Sequence, residues 1–129
     1  MKKFRIESDF RKLNLLIVED GEDIIEIMDR TFKMIVNSIS LAKDGKEAYE
    51  HYLKNKPDII LTDLRMPNMS GNELVKKIRE NDNLTPIIVI TAYEDDLEET
   101  QKQKVQAIVN KPINFINLIQ TIDDCVLKN

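Results

Sequence analysis

Three apolar runs in this chain are too short for helices and carry no polar residue to mark an outer face. They are Leu15-Leu16-Ile17-Val18, Ile59-Ile60-Leu61 and Ile87-Ile88-Val89-Ile90. Uninterrupted β-branched or leucine-rich segments of this length read as strands buried on both faces. Such a sheet must be covered above and below. Two weaker strand candidates are Ile39-Ser40-Leu41-Ala42 and Ala107-Ile108-Val109. The first alternates, which suits a sheet edge. Between the runs the apolar spacing changes to three and four. Ile24, Ile27, Met28, Thr31, Phe32 and Ile35 form one helical stripe. Further stripes are Ala48, Tyr49, Tyr52 and Leu53, then Leu74, Val75 and Ile78, then Leu118, Ile119, Ile122 and Val126. The stretch from Asp95 to Lys104 is polar and predicts a helix with a thin contact face, its N-terminus capped and charged by Glu94, Asp95 and Asp96 with Glu98 and Glu99. Five strands alternating with five helices predict βα units and an α/β fold around a parallel sheet. Right-handed crossovers reduce the topologies to a few.

A length of 129 residues suits one domain able to bury a core without disulfide or metal staples. The formal charge of -4 and a pI near 5.1 argue against direct nucleic-acid binding. No apolar run exceeds four residues, so none spans a membrane. The single cysteine, Cys125, forms no internal disulfide, and no apolar stretch follows Met1-Lys2-Lys3. Both features point to a cytoplasmic protein. Residues 1–12 are expected to form an N-terminal extension, a loosely docked tail in which Phe4, Ile6 and Phe10 are the groups able to dock. The domain proper is expected over residues 13–129.

The chemistry gathers where the strands end. Val18 is followed by Glu19-Asp20, Leu61-Thr62 by Asp63, Ile90 by Thr91, and Val109-Asn110 by Lys111-Pro112. In an open parallel α/β sheet the carboxyl ends of the strands share one edge, and ligands bind there. The sequence therefore places three carboxylates, one hydroxyl and one amine around a single crevice. At about 4 Å, two carboxylates repel by roughly 4 kcal/mol at an effective dielectric of 20. A cation or a retained proton must relieve that. All-oxygen ligation suits a hard divalent ion such as Mg²⁺, with Mn²⁺ as a substitute. A phosphoryl group completes the set, bridging the metal and Lys111.

These motifs resemble the response-regulator receiver domain of two-component signalling. The resemblance runs through Leu15-Leu16-Ile17-Val18-Glu19-Asp20 and the stretch from Asp58 to Pro67. It continues through Met69-Ser70-Gly71-Asn72-Glu73-Leu74, Pro86 to Ala92, and Val109-Asn110-Lys111-Pro112. It implies a flavodoxin-like (CheY-like) fold with strand order 2-1-3-4-5. Asp63 would accept a phosphoryl group from a sensor histidine kinase or a histidine phosphotransfer protein. Asp20 and Asp63 would bind Mg²⁺, with Glu19 beside it and the Arg65 backbone carbonyl completing the ligands. Thr91 and Lys111 would contact the phosphoryl group, and the Lys111–Pro112 bond would be cis. Gly71 would allow the tight turn opening the third helix. The readout face would comprise the fourth helix, fifth strand and fifth helix. The resemblance leaves room for a homodimer on activation and for an output partner or fused effector domain. Self-catalysed transfer and autodephosphorylation would make the chain a switch and not an enzyme.

Some positions depart from the family pattern. Ile108 stands where the family often carries an aromatic switch. Arg65 and Tyr93, two residues past Asp63 and Thr91, are both large and would tune the lifetime of the phosphoryl group. Ile25 falls off the first helical stripe and is expected either partly buried or exposed near the site, where it would dock a helical partner. Two other classes fit the residues less well. A Mg²⁺-dependent phosphohydrolase would want a second Asp where Arg65 stands. A vestigial interaction module would not need the intact set of Glu19, Asp20, Asp63, Thr91 and Lys111.

Overall fold

A computed structural model describes residues 10–127. The strands are β1 (Asn14–Val18), β2 (Ser38–Ala42), β3 (Ile59–Thr62), β4 (Ile87–Thr91) and β5 (Ala107–Asn110). The helices are α1 (Glu22–Lys33), α2 (Gly45–Lys54), α3 (Gly71–Arg79), α4 (Glu99–Lys102) and α5 (Phe115–Ile122). All strands are parallel, in the order β2-β1-β3-β4-β5. The parallel sheet follows from the strand and helix alternation, and its order is the flavodoxin-like one that the resemblance implies.

The pleat explains why the central runs are continuously apolar. Successive residues of a strand face opposite sides. Leu15, Ile17, Ile59, Leu61, Ile88 and Ile90 enter a core layer with Met28 and Phe32 of α1 and Leu118 and Ile122 of α5. Leu16, Val18, Ile60 and Ile87 enter the opposite layer with Ala48 of α2 and Leu74, Val75 and Ile78 of α3. β2 lies at one edge of the sheet and keeps only Ala42 fully buried.

Phe10 is fully buried in the first layer, one turn before β1. Of the three extension residues singled out for docking, it packs into the core. Phe4 and Ile6 lie outside the described residues.

Local signals position the helices. Asp44 caps α2 by accepting from the Glu47 N–H at 2.8 Å. Ser70 and Glu73 form a reciprocal capping box at the start of α3. Asn114 caps α5 through the Asn117 N–H at 3.0 Å. The stripe of α1 differs in phase from the one the spacing predicts. Ile25, Met28 and Phe32 are the buried residues, and Ile27 is 49% exposed. Ile25 and Phe32 are seven residues apart and nearly eclipse at 100° per residue, whereas Ile27 points away from both. Ile25 is thus a core residue, and Ile27 is the exposed isoleucine.

The polar stretch after β4 departs from the expected helix. It forms a 3₁₀ turn at Glu94–Asp96 and then α4, a single turn. Glu98 and Glu99 stand at the N-cap and in the first turn of α4, but Glu94, Asp95 and Asp96 do not charge its start. Those three build the preceding turn, because only Leu97 and Gln101 are buried between Ala92 and Lys104 and little apolar surface holds a longer helix.

Candidate functional site

The crevice at the carboxyl edge of the sheet is built by backbone register. The Asp63 N–H donates to Val18 O at 3.0 Å, and the Lys111 N–H donates to Thr91 O at 3.0 Å. These bonds carry the β1–β3 and β4–β5 ladders one residue past the strands. Glu19, Asp63, Thr91 and Lys111 are held at that edge as a result.

Asp63 is nearly buried, at 7% exposure. Its Oδ1 accepts from the Leu64 N–H at 2.6 Å, and its Oδ2 accepts from Lys111 Nζ at 2.7 Å. The same ammonium donates to Glu19 Oε1 at 2.8 Å, while Glu19 Oε2 accepts from the Gly21 N–H at 2.9 Å. Burial pushes the Glu19 carboxyl above its ordinary range, and the charge of Asp63 adds to this. Lys111 and the Gly21 N–H only partly offset it. Burial alone would lower the Lys111 ammonium, but its bonds to Asp63 and Glu19 outweigh that and hold it above its usual value.

Glu19, Asp20 and Asp63 each offer a carboxylate oxygen, all within 4.8 Å of one another. Asp20 is exposed and closes the open side of the group. Three carboxylates face one lysine, so the donor set is oxygen-only and short of positive charge. That chemistry fits a hard divalent cation.

Thr91 is fully buried, and its Oγ1 accepts from the Tyr93 N–H at 3.0 Å. The Lys111–Pro112 peptide is cis. No hydrogen bond joins the Arg65 guanidinium to Asp63 among the described residues. The Arg65 Nε donates to Asp96 Oδ2, and its Cζ lies 3.6 Å from the centroid of the Tyr93 ring. Ile108 sits away from the carboxylates, partly buried against Leu64, Val89 and Leu97.

Gly71 is needed for space and not for conformational freedom, because its φ is not positive. A Cβ there would lie 2.2 Å from Asp63 O and 2.8 Å from Leu64 Cα. Two contacts around the site had no motif to announce them. The Leu64 N–H on Asp63 is a backbone feature. The Asp96 carboxylate on Arg65 joins residues 31 apart, and only the fold brings them together.

The family model described as response regulator receiver domain matches residues 15–123. The chain belongs to the response regulator receiver family. The receiver is 32% identical over 108 residues to Regulator of RpoS from Escherichia coli K12, covering 82% of this chain and 32% of that protein. It therefore spans about a third of that relative's length. It is 29% identical over 113 residues to the polar-differentiation response regulator DivK of Brucella anthropi, covering 84% of this chain and 92% of that protein. Among solved structures, it is similar to TrrA of Thermotoga maritima in complex with Mg²⁺ and BeF. The TM-score is 0.80 at 25% identity, with 88% of this chain and 99% of that chain covered. Chemotaxis response regulator CheY4 of Vibrio cholerae gives 0.77 at 27% identity, with 89% and 99% covered. These relatives are regulators, and the receiver is a signalling module of two-component systems. Among its described residues, no helix is long and apolar enough to cross a membrane.

Proposed function

We propose that this receiver is a phosphorylation-dependent switch in which Asp63 accepts a phosphoryl group from a phosphohistidine of a sensor histidine kinase or histidine phosphotransfer protein. The observation that carries this reading is the placement of Lys111 Nζ between the Asp63 and Glu19 carboxylates, with Asp20 completing an oxygen-only group. Asp20, Asp63 and the Arg65 backbone carbonyl would hold Mg²⁺, or Mn²⁺ as a substitute, with Glu19 beside it. When bound, the metal offsets the negative charge shared by the carboxylates and the incoming group.

The chain's own residues do the rest. An oxygen of Asp63 attacks phosphorus, the P–N bond to the donor imidazole breaks, and an acyl phosphate forms. Lys111 moves its bond from the Asp63 carboxylate to a phosphoryl oxygen. Thr91 donates its hydroxyl to another. For reversal, water attacks phosphorus, the P–O bond to Asp63 breaks, and inorganic phosphate leaves with the carboxylate regenerated. Arg65 and Tyr93 crowd the path of that water. No separate substrate is turned over, so the chain acts as a switch and not as an enzyme.

The donor protein must reach this same edge. Beside Lys111 lies an apolar cavity of about 210 Å³ lined by Ile24, Ile27, Pro112, Ile113 and Phe115. Ile27 of that lining is 49% exposed. This is the docking surface we assign to the donor, with Ile27 as its exposed isoleucine.

Incubation of the chain with acetyl phosphate and Mg²⁺, followed by intact mass, tests the reading. One phosphate per chain, lost slowly and absent without Mg²⁺, is the expected result. Release of many phosphates per chain, or no change in mass, overturns it.

A further inference from the structure

The segment between β4 and β5 is weakly secured. Neither the 3₁₀ turn at Glu94–Asp96 nor α4 has a side-chain N-cap. The side-chain carbonyl of Gln101 is buried without a hydrogen-bond partner among the described residues. The segment is fastened from outside, by the β3–α3 connection and α3. Arg65 pairs with Asp96 and lies over the Tyr93 ring. Asn72 Nδ2 donates to Asp96 O at 2.8 Å, and its Oδ1 accepts from the Glu98 N–H at 3.0 Å. The Tyr93 N–H is held by Thr91 Oγ1. The segment therefore occupies the Arg65 guanidinium and the Thr91 hydroxyl.

Those bonds are open to competition. The Arg65–Asp96 pair is largely solvent-exposed, at 60% and 35% for the two side chains, and such pairs bind weakly. A phosphoryl group on Asp63 brings a charge of about -1.5 to -2 and three acceptor oxygens to a point two residues from Arg65. A guanidinium favours such a bidentate anion over a single carboxylate oxygen. Ile108 offers no ring to transmit the change, since it is packed against Leu97 and Leu64.

We propose that Asp96 is a positioning residue: it holds the Arg65 guanidinium off Asp63 in the unphosphorylated chain, and phosphorylation draws Arg65 onto the phosphoryl oxygens and frees residues 94–102. The coupling rests on the function proposed above, because the competing anion is the acyl phosphate of Asp63. Asp96 thus sets both the lifetime of the phosphoryl group and the order of the α4 segment.

Amide hydrogen exchange of the 129-residue chain, with and without acetyl phosphate and Mg²⁺, tests this against intact mass in the same samples. Exchange over residues 94–102 should rise roughly fivefold on phosphorylation, the response to losing an exposed ion pair and a cation–π contact together. In Asp96→Asn it should already be raised before phosphorylation and change little after. Arg65→Lys should keep part of the response and Arg65→Gln none. Asp96→Asn should also lengthen the phosphoryl lifetime, and this gain should vanish in the Arg65→Gln background, a dependence that a merely structural role would not produce. Phosphate incorporated with no change over residues 94–102 overturns the coupling and leaves the function standing. An Asp96→Asn chain as protected as the wild type overturns it too. No incorporation overturns the function and the coupling together.

Discussion

Lys111 holds its ammonium 2.7 Å from Oδ2 of Asp63, a residue 48 positions earlier in the chain. It is also 2.8 Å from Glu19 Oε1, so one cation serves two buried carboxylates. Removing it leaves both carboxylates without their shared counter-charge. Lys111→Met should cost about 3 kcal/mol at neutral pH without metal, within the range for breaking a buried pair. The folded pKa of Glu19 lies above its unfolded value, so folding takes up a proton as pH falls toward the carboxylate range. The deficit of the variant should therefore shrink between pH 7 and about 4.5. In the wild type, the Lys111 contribution should be full below about pH 10.4 and lost as pH rises through its raised folded value. Urea denaturation across this range checks both limbs.

Asp82 gives a pH dependence of opposite sign. It is buried and accepts from Tyr52 Oη at 2.5 Å, Thr85 Oγ1 at 2.6 Å, and the Leu84 and Thr85 N–H groups at 2.8 and 3.0 Å. Burial favours the protonated acid, but these bonds outweigh it and push the carboxyl well below its usual range. The stabilisation is present above the unfolded value of about 3.9 and is lost as pH falls from there toward the folded value. Asp82→Ala should cost about 3 kcal/mol at pH 7, because buried donors lose their acceptor. The difference from wild type should narrow below about pH 4, as followed by chemical denaturation.

The sheet was legible because its signal is dense. Runs such as Leu15 to Val18 admit burial only on both faces, and the strand ends carry the charged residues without interruption. The α1 stripe was less legible, since Ile24, Ile25 and Ile27 are all apolar and two helical phases fit them. Only packing on the sheet selects Ile25. α4 was over-read because polar residues of good helix propensity do not say how long a helix is. Gly71 was found for the wrong physical reason, since its close approach to Asp63 is a tertiary fact. The partners of Arg65 were invisible, as nothing local joins it to Asp96.

Gly71→Ala measures that close approach. A Cβ at 2.2 Å from Asp63 O cannot be accommodated without moving backbone. The variant should lose about 1–3 kcal/mol, the usual range for overpacking, and incorporate phosphate more slowly, because the displaced backbone carries Asp63. A wild-type melting temperature together with a wild-type labelling rate would contradict the tight packing.

Tyr93 and Ile108 should separate lifetime from coupling. The Tyr93 ring lies under the Arg65 guanidinium, whereas Ile108 packs against Leu97. Tyr93→Ala should speed loss of acid-labile phosphate by up to about tenfold. Ile108→Tyr should leave that rate nearly unchanged and alter partner affinity or self-association. The reverse pattern would exchange the two roles.

Mapping the phosphoryl group tests the central claim most directly. After phosphorylation with acetyl phosphate and Mg²⁺, borohydride reduces an aspartyl phosphate to homoserine, and peptide mass then locates it. The account expects homoserine at position 63 and none in Asp63→Asn. Homoserine at any other aspartate, or undiminished labelling of Asp63→Asn, would contradict it.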